Sequence, residues 1–221
     1  MSLKNMIITV AAALTVLVGV GAAGTLSAKA ATSDCGQTCT DLFSPAFGTA
    51  KPPAFVLDVQ NQPVQVGERV IMASASGKNQ GEDFILSFQG TVQDFVAAGL
   101  MSPGLGALYS NLEVFEIGSA PAGMPSGLCV GVGATPGLGT PVTLQPCGVS
   151  ARTTWIFGPE TTSTGSYDAL ISGATSSNFQ NPYSLTTLAP HLQLFTAPLE
   201  PTLPAPVFAH QLWGQFKGAL P

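Results

Sequence analysis

Apolar residues fall into two regimes along this chain. From Met6 to about Gly24 they run almost unbroken, with Lys4 before them and Ser27-Ala28-Lys29-Ala30 after them. Beyond Ala30 they come in short runs: Phe55-Val56-Leu57-Asp58-Val59, Glu68-Arg69-Val70-Ile71-Met72, Phe84-Ile85-Leu86-Ser87-Phe88, Leu112-Glu113-Val114-Phe115, Pro141-Val142-Thr143-Leu144 and Leu192-Gln193-Leu194-Phe195. A period of two sends successive side chains to opposite faces, so each run predicts a short, half-buried strand. Gly and Pro interrupt almost every dozen residues, and only Thr91 to Leu100 has room for a turn or two of helix. Many short strands between turn residues predict an all-β sandwich or barrel.

The first regime has the order of a secretory signal peptide: a basic residue, an apolar stretch, then an A-x-A signal, with cleavage expected after Ala30. The competing reading is an uncleaved membrane anchor, because the run approaches spanning length. Ser33 and Asp34 replace the small apolar residues that a lipid-anchoring signal would need ahead of Cys35. The expectation is a signal peptide over 1–30 and a secreted, extracellular mature chain, with no membrane contact after cleavage.

About 190 residues then remain, enough for one domain with a full core. They carry five basic side chains (Lys51, Arg69, Lys78, Arg152, Lys217) against all twelve acidic ones, a formal charge of −7. No basic stripe exists to neutralise phosphates, which argues against nucleic acid as a partner. The four cysteines enter an oxidising space and allow three pairings. Local pairing, Cys35 with Cys39 and Cys129 with Cys147, is the economical expectation. His191 and His210 are far from the cysteines in sequence and no C-x2-C occurs, so no metal site and no cofactor is expected.

One arrangement recurs three times. In the middle, Leu128-Cys129-Val130-Gly131-Val132 is followed by Pro141-Val142-Thr143-Leu144-Gln145-Pro146-Cys147 and Thr153-Thr154-Trp155. Earlier, Val56-Leu57-Asp58-Val59 precedes Val70-Ile71-Met72 and Glu82-Asp83-Phe84; later, Tyr183-Ser184-Leu185-Thr186 precedes Leu192-Gln193-Leu194-Phe195 and Gln211-Leu212-Trp213. The middle copy resembles the repeat of the ricin-B-type β-trefoil lectins, C-L-D-V, then V-x-L-x-x-C, then Q-x-W. That resemblance implies an all-β fold, a β-trefoil of three pseudo-repeats with long loop insertions at about 89–126 and 197–206. The trefoil domain occupies 55–221. Only eight residues follow Trp213, too few to finish the third copy, so the segment 31–54 is the candidate for the missing strand.

The resemblance also implies where a sugar would sit: a carboxylate on the first strand of a copy, an aromatic near the second, and a polar side chain before the Q-x-W aromatic. The first copy offers Asp58 with Asn79 or Gln80, but Ala73 at the aromatic position. The middle copy has Gly131 for the acid and Gln145 for the aromatic. The third offers Phe195 with Gln193, His210 and Gln211, but Thr186 for the acid. No copy is complete. Trp155 and Trp213 are expected in the core, and Asp58 is more readily a turn-capping acid at a strand end than a sugar ligand.

The usual hydrolase, metalloprotease, phosphate-loop and calcium-loop motifs are absent from the sequence. The leading expectation is a secreted, non-catalytic, carbohydrate-binding module for an extracellular glycan or polysaccharide. The rivals are a scaffold that engages a protein partner, a protease inhibitor included, and a hydrolase with unrecognised residues.

Overall fold

The computed structural model describes residues 39–148, 150–200 and 207–217. The signal peptide expected at 1–30, Cys35, and residues 201–206 of the second insertion lie outside them. The described strands are β1 (Asp41–Phe43), β2 (Phe55–Val59), β3 (Val70–Ser74), β4 (Phe84–Thr91), β5 (Glu113–Ser119), β6 (Leu128–Val132), β7 (Thr140–Pro146), β8 (Thr154–Thr162), β9 (Gly165–Ser172), β10 (Tyr183–Thr186), β11 (Phe195–Pro198) and β12 (Leu212–Phe216). Two helices, α1 (Val92–Ala97) and α2 (Pro103–Tyr109), lie between β4 and β5.

Strand β4 pairs with β5, β5 with β8, β8 with β9, β9 with β12 and β12 with β1, each antiparallel. Thr40, just ahead of β1, then bridges Phe84 at the start of β4, and the ring closes. Closure removes the open edges that an all-β chain would otherwise present. The strand beside β12 therefore comes from the other end of the chain. Hairpins β2–β3, β6–β7 and β10–β11 lie over the ring and share its core, which includes Leu57, Met72, Val130, Leu144, Leu185, Leu194, Phe84, Trp155 and Trp213.

The three hairpins lean on one another in a cycle. The Gly67 N–H donates to the Leu144 carbonyl at 2.7 Å, Gly139 to Thr196 at 2.9 Å, and His191 to Met72 at 2.6 Å. The acceptors are equivalent, since Met72, Leu144 and Thr196 stand opposite Leu57, Val130 and Leu185. So are the donors, all left-handed at φ 83°, 78° and 63°. Glycine adopts this conformation freely, whereas His191 does so at a cost.

The aromatics that open the third strands occupy the centre: Phe84 and Trp155 are fully buried and Trp213 nearly so. Each indole is tied to its own copy's first strand, Trp155 Nε1 donating to Val130 O at 2.9 Å and Trp213 Nε1 to Leu185 O at 3.0 Å. A buried indole N–H needs such a partner. Cys129 and Cys147 form the expected disulfide across β6 and the end of β7. Cys39 is also disulfide-bonded, and the Cys35 end of its expected pairing lies outside the described residues.

Three expectations are corrected. The stretch 89–126 is only partly insertion, because it holds β5, the counterpart of β9. It also holds a second helix, α2, that its glycines conceal. A Cβ on Gly104 would collide with the Phe179 ring, and one on Gly106 would stand 3.0 Å from Val96, so close packing requires glycine inside the helix. The second strand of the third copy is Phe195–Pro198 rather than Leu192–Phe195. Leu192 and Leu194 exchange backbone bonds with β3 instead, through Met72 N to Leu192 O and Leu194 N to Val70 O.

Candidate functional site

Pairing register fixes which residues are equivalent across the copies. Asp58 stands opposite Ile71, Gly131 opposite Thr143, and Thr186 opposite Phe195. The counterparts of Phe195 are therefore Ile71 and Thr143, two residues earlier than the Ala73 and Gln145 inferred from sequence spacing.

In the first copy, Asp58 is only 4% exposed. Asn79 Nδ2 donates to its Oδ2 at 2.7 Å, and Asn79 Oδ1 accepts from Gly81 N at 3.0 Å, capping a single 3-10 turn over Gln80–Glu82. Asp58 Oδ1 has no hydrogen-bond partner. Burial and the neighbouring Glu82 push the Asp58 carboxyl up to about 7, against the pull of Asn79 and the Val59 backbone. Buried among its own copy's turn residues, Asp58 faces a closed interior, and the half-buried Gln80 follows Asn79 in that turn.

In the third copy, Gln211 is also buried, and its amide is fully spent. Its Nε2 donates to Pro198 O at 2.8 Å and Thr186 Oγ1 at 3.3 Å, while its Oε1 accepts from Glu200 N at 2.9 Å. The counterpart in the first copy, Glu82, accepts from Ser76 N, Ser76 Oγ and Gly77 N at 3.2–3.3 Å. The middle copy uses Thr153, whose hydroxyl donates to Glu116 Oε1 at 2.8 Å, with Gly148 N on the same oxygen. All three positions fasten the chain that follows the second strand. His210 stacks on Phe208, ring centroids 5.7 Å apart.

Phe195 and Gln193 are brought together. With Gly139, Pro141 and Leu194 they line an open depression of about 310 Å³ where the second and third copies meet. Pro141 is the cross-strand partner of Phe195. Gln193 is braced from both sides: Arg69 Nε donates to its Oε1 at 2.9 Å, and its Nε2 donates to Val142 O at 3.3 Å. Sequence reasoning missed Arg69, which joins this place from the first copy across a cap contact that no local pattern announces. Among the described residues, no group of His, Cys, Asp or Glu could hold a metal ion, and no helix is long and apolar enough to cross a membrane.

No family profile and no curated protein matches the chain. Solved structures match its shape. A designed 3-fold symmetric protein, ThreeFoil, aligns over 80% of this chain and 97% of its own with a TM-score of 0.52 at 15% identity. The β-trefoil lectin of the Vibrio vulnificus hemolysin/cytolysin, solved with N-acetyl-D-lactosamine bound, aligns over 80% and 93% at 0.46 and 15%. The binding domain of botulinum neurotoxin DC, in complex with SialylT, aligns over 82% of this chain at 0.46 and 9%; this chain spans 44% of that one. The fold is a β-trefoil, with one four-strand unit in each copy and β1 serving as the last strand of the third.

Proposed function

We propose that the protein is a secreted, non-catalytic binding protein that takes an extracellular glycan in the depression beside Phe195. The observation that carries this reading is that Phe195 and Gln193 line one open hollow, while Asp58 and Gln211 are buried. A pyranose offers a CH face to an aromatic ring, and its hydroxyls need positioned donors and acceptors. Phe195 supplies the ring, and the braced Arg69–Gln193 pair supplies polar groups beside it. Thr186, not an acid, stands opposite Phe195, so the charge-assisted bonds a carboxylate would accept from vicinal hydroxyls are forfeited. A single sugar then binds at roughly millimolar strength, the affinity that about 4 kcal/mol supports. Useful retention comes from repeated units on a polymer. The Cys129–Cys147 disulfide fits an extracellular setting.

The test is titration of wild type, Phe195→Ala and Asp58→Asn against a glycan panel and an insoluble polysaccharide. Phe195→Ala is expected to weaken binding at least fivefold and Asp58→Asn to leave it unchanged. Retention on no glycan at all, or retention indifferent to Phe195→Ala, overturns the reading. A protein partner is the second reading, favoured by exposed aliphatic residues at the hairpin turns: Val66, Leu138, Leu188 and Leu192.

A further inference from the structure

The ring closes at one seam, where Thr40 bridges Phe84. In an antiparallel pair, the residues one step further on are also opposite each other, so this register sets Asp41 across from Asp83. Like charges placed directly opposite destabilise a strand pair. Both residues are buried, at 8% and 4% exposure, and Glu82 and Asp58 behind them are buried too. Four carboxyl groups from β1, β2 and the turn before β4 thus converge on the place where the first strand joins the last.

We propose that this seam is a pH-sensitive latch that holds β1 in the ring in acid and loosens it as the solution approaches neutrality. Among the described residues, no cation is paired with the cluster. Lys78, next to Asn79, and Lys217, after Phe216, are exposed. From β12, the residues opposite β1 are Gly214, Gln215 and Phe216, none of them charged. Just ahead of β3, Arg69 turns to Gln193, and in β3 Ile71 is the residue opposite Asp58. His191 packs edge-on against Phe55 at the start of β2. The available support is neutral: Asn79 on Asp58, Ser76 and Gly77 on Glu82, and the Ala122 N–H on Asp83 Oδ2 at 3.0 Å. The second Asp58 oxygen has nothing.

Burial, then repulsion from Asp83 and Glu82, pushes the Asp41 carboxyl up to about 7, and Asp58 reaches about 7 as well. Burial also raises Glu82 and Asp83. The folded chain therefore holds protons that the unfolded chain has released. The stability so gained is complete below about pH 4, where both states are protonated, and is lost as pH rises through about 7. The loss is concentrated on β1, three residues long, whose anchors are the buried Leu42 and Phe43. Its release would bare those side chains and the edges of β4 and β12.

Hydrogen exchange of the full chain, read by mass spectrometry from pH 5 to 8.5 and corrected for the intrinsic rate, tests the latch. The Thr40 amide, bonded to Phe84 O, and those of β1 are expected to lose protection at least tenfold relative to the disulfide-tied β6–β7 hairpin. Asp41→Asn and Asp83→Asn, each nearly isosteric, are each expected to flatten that dependence. The latch is overturned if β1 tracks β6–β7 at every pH in wild type. It is equally overturned if protection falls together everywhere, or if both variants keep the wild-type profile.

Discussion

The first and middle copies build the same corner of the trefoil from opposite parts. In the first, the acid projects from β2 at Asp58 and the facing turn gives way with Gly81, where a Cβ would collide with Asp58 Oδ1. In the middle copy the strand gives way instead: Gly131 occupies the position of Asp58, and a Cβ there would stand 2.5 Å from the Arg152 carbonyl oxygen. Arg152 precedes Trp155 by the same interval as Gly81 precedes Phe84. In the first copy the gap is filled by a side chain, and in the middle copy by the backbone of the turn, the Arg152 side chain itself being exposed. The lesson is that close packing at one contact can be met by a side chain or by an approaching backbone, so the side chain needed for chemistry can be absent while the corner is kept.

Removing what is peculiar to the middle copy has the largest expected effect. Replacing Cys129 and Cys147 together by Ser is expected to destabilise the chain by about 3 kcal/mol, the loop-closure entropy of such a link, as read by urea denaturation. Placing bulk on both sides of the gap comes next. Gly131→Ala is expected to cost about 1–3 kcal/mol by overpacking, and Gly81→Ala a similar amount. A double-mutant cycle with Asp58→Gly should return part of the Gly81→Ala loss, and strict additivity would show that the two sides do not trade volume. Trp213→Phe, which gives the third copy the ring of the first, leaves the Leu185 carbonyl without its indole donor. A loss of about 1–3 kcal/mol is expected, with Trp155→Phe alike. The smallest effect is a gain: His191→Gly relieves the left-handed residue in the cycle of hairpin turns and should raise stability by about 1 kcal/mol. An unchanged thermal midpoint would mean that the edge contact of His191 with Phe55 offsets the strain.

Where β7 forms, the alternation of Val142 and Leu144 with Thr143 is visible in the sequence, because one buried face imposes a period of two. Strand β1 carries no such signal: Asp41-Leu42-Phe43 is too short, and all three residues are buried. The second strand of the third copy was misplaced because Leu192-Gln193-Leu194 alternates like a strand yet spends its bonds on β3 of another copy. At the site, Phe195 and Gln193 were legible as residue types. That they share a hollow with Pro141 was not, since the pairing of β7 with β11 is non-local. The burial of Asp58 depended on what Gly81 leaves open, a fact held by the turn and not by the strand.

The pairing of Asp41 with Phe216 also governs when the molecule can form. A ring whose first strand waits for β12 cannot be completed by a growing chain until Phe216 has emerged, and the hairpin cycle is likewise open until His191 reaches Met72. Contacts so far apart in sequence make for slow folding, with loop closure preceding any reward. The ring stays open until β12 has been made, however early β1 emerges.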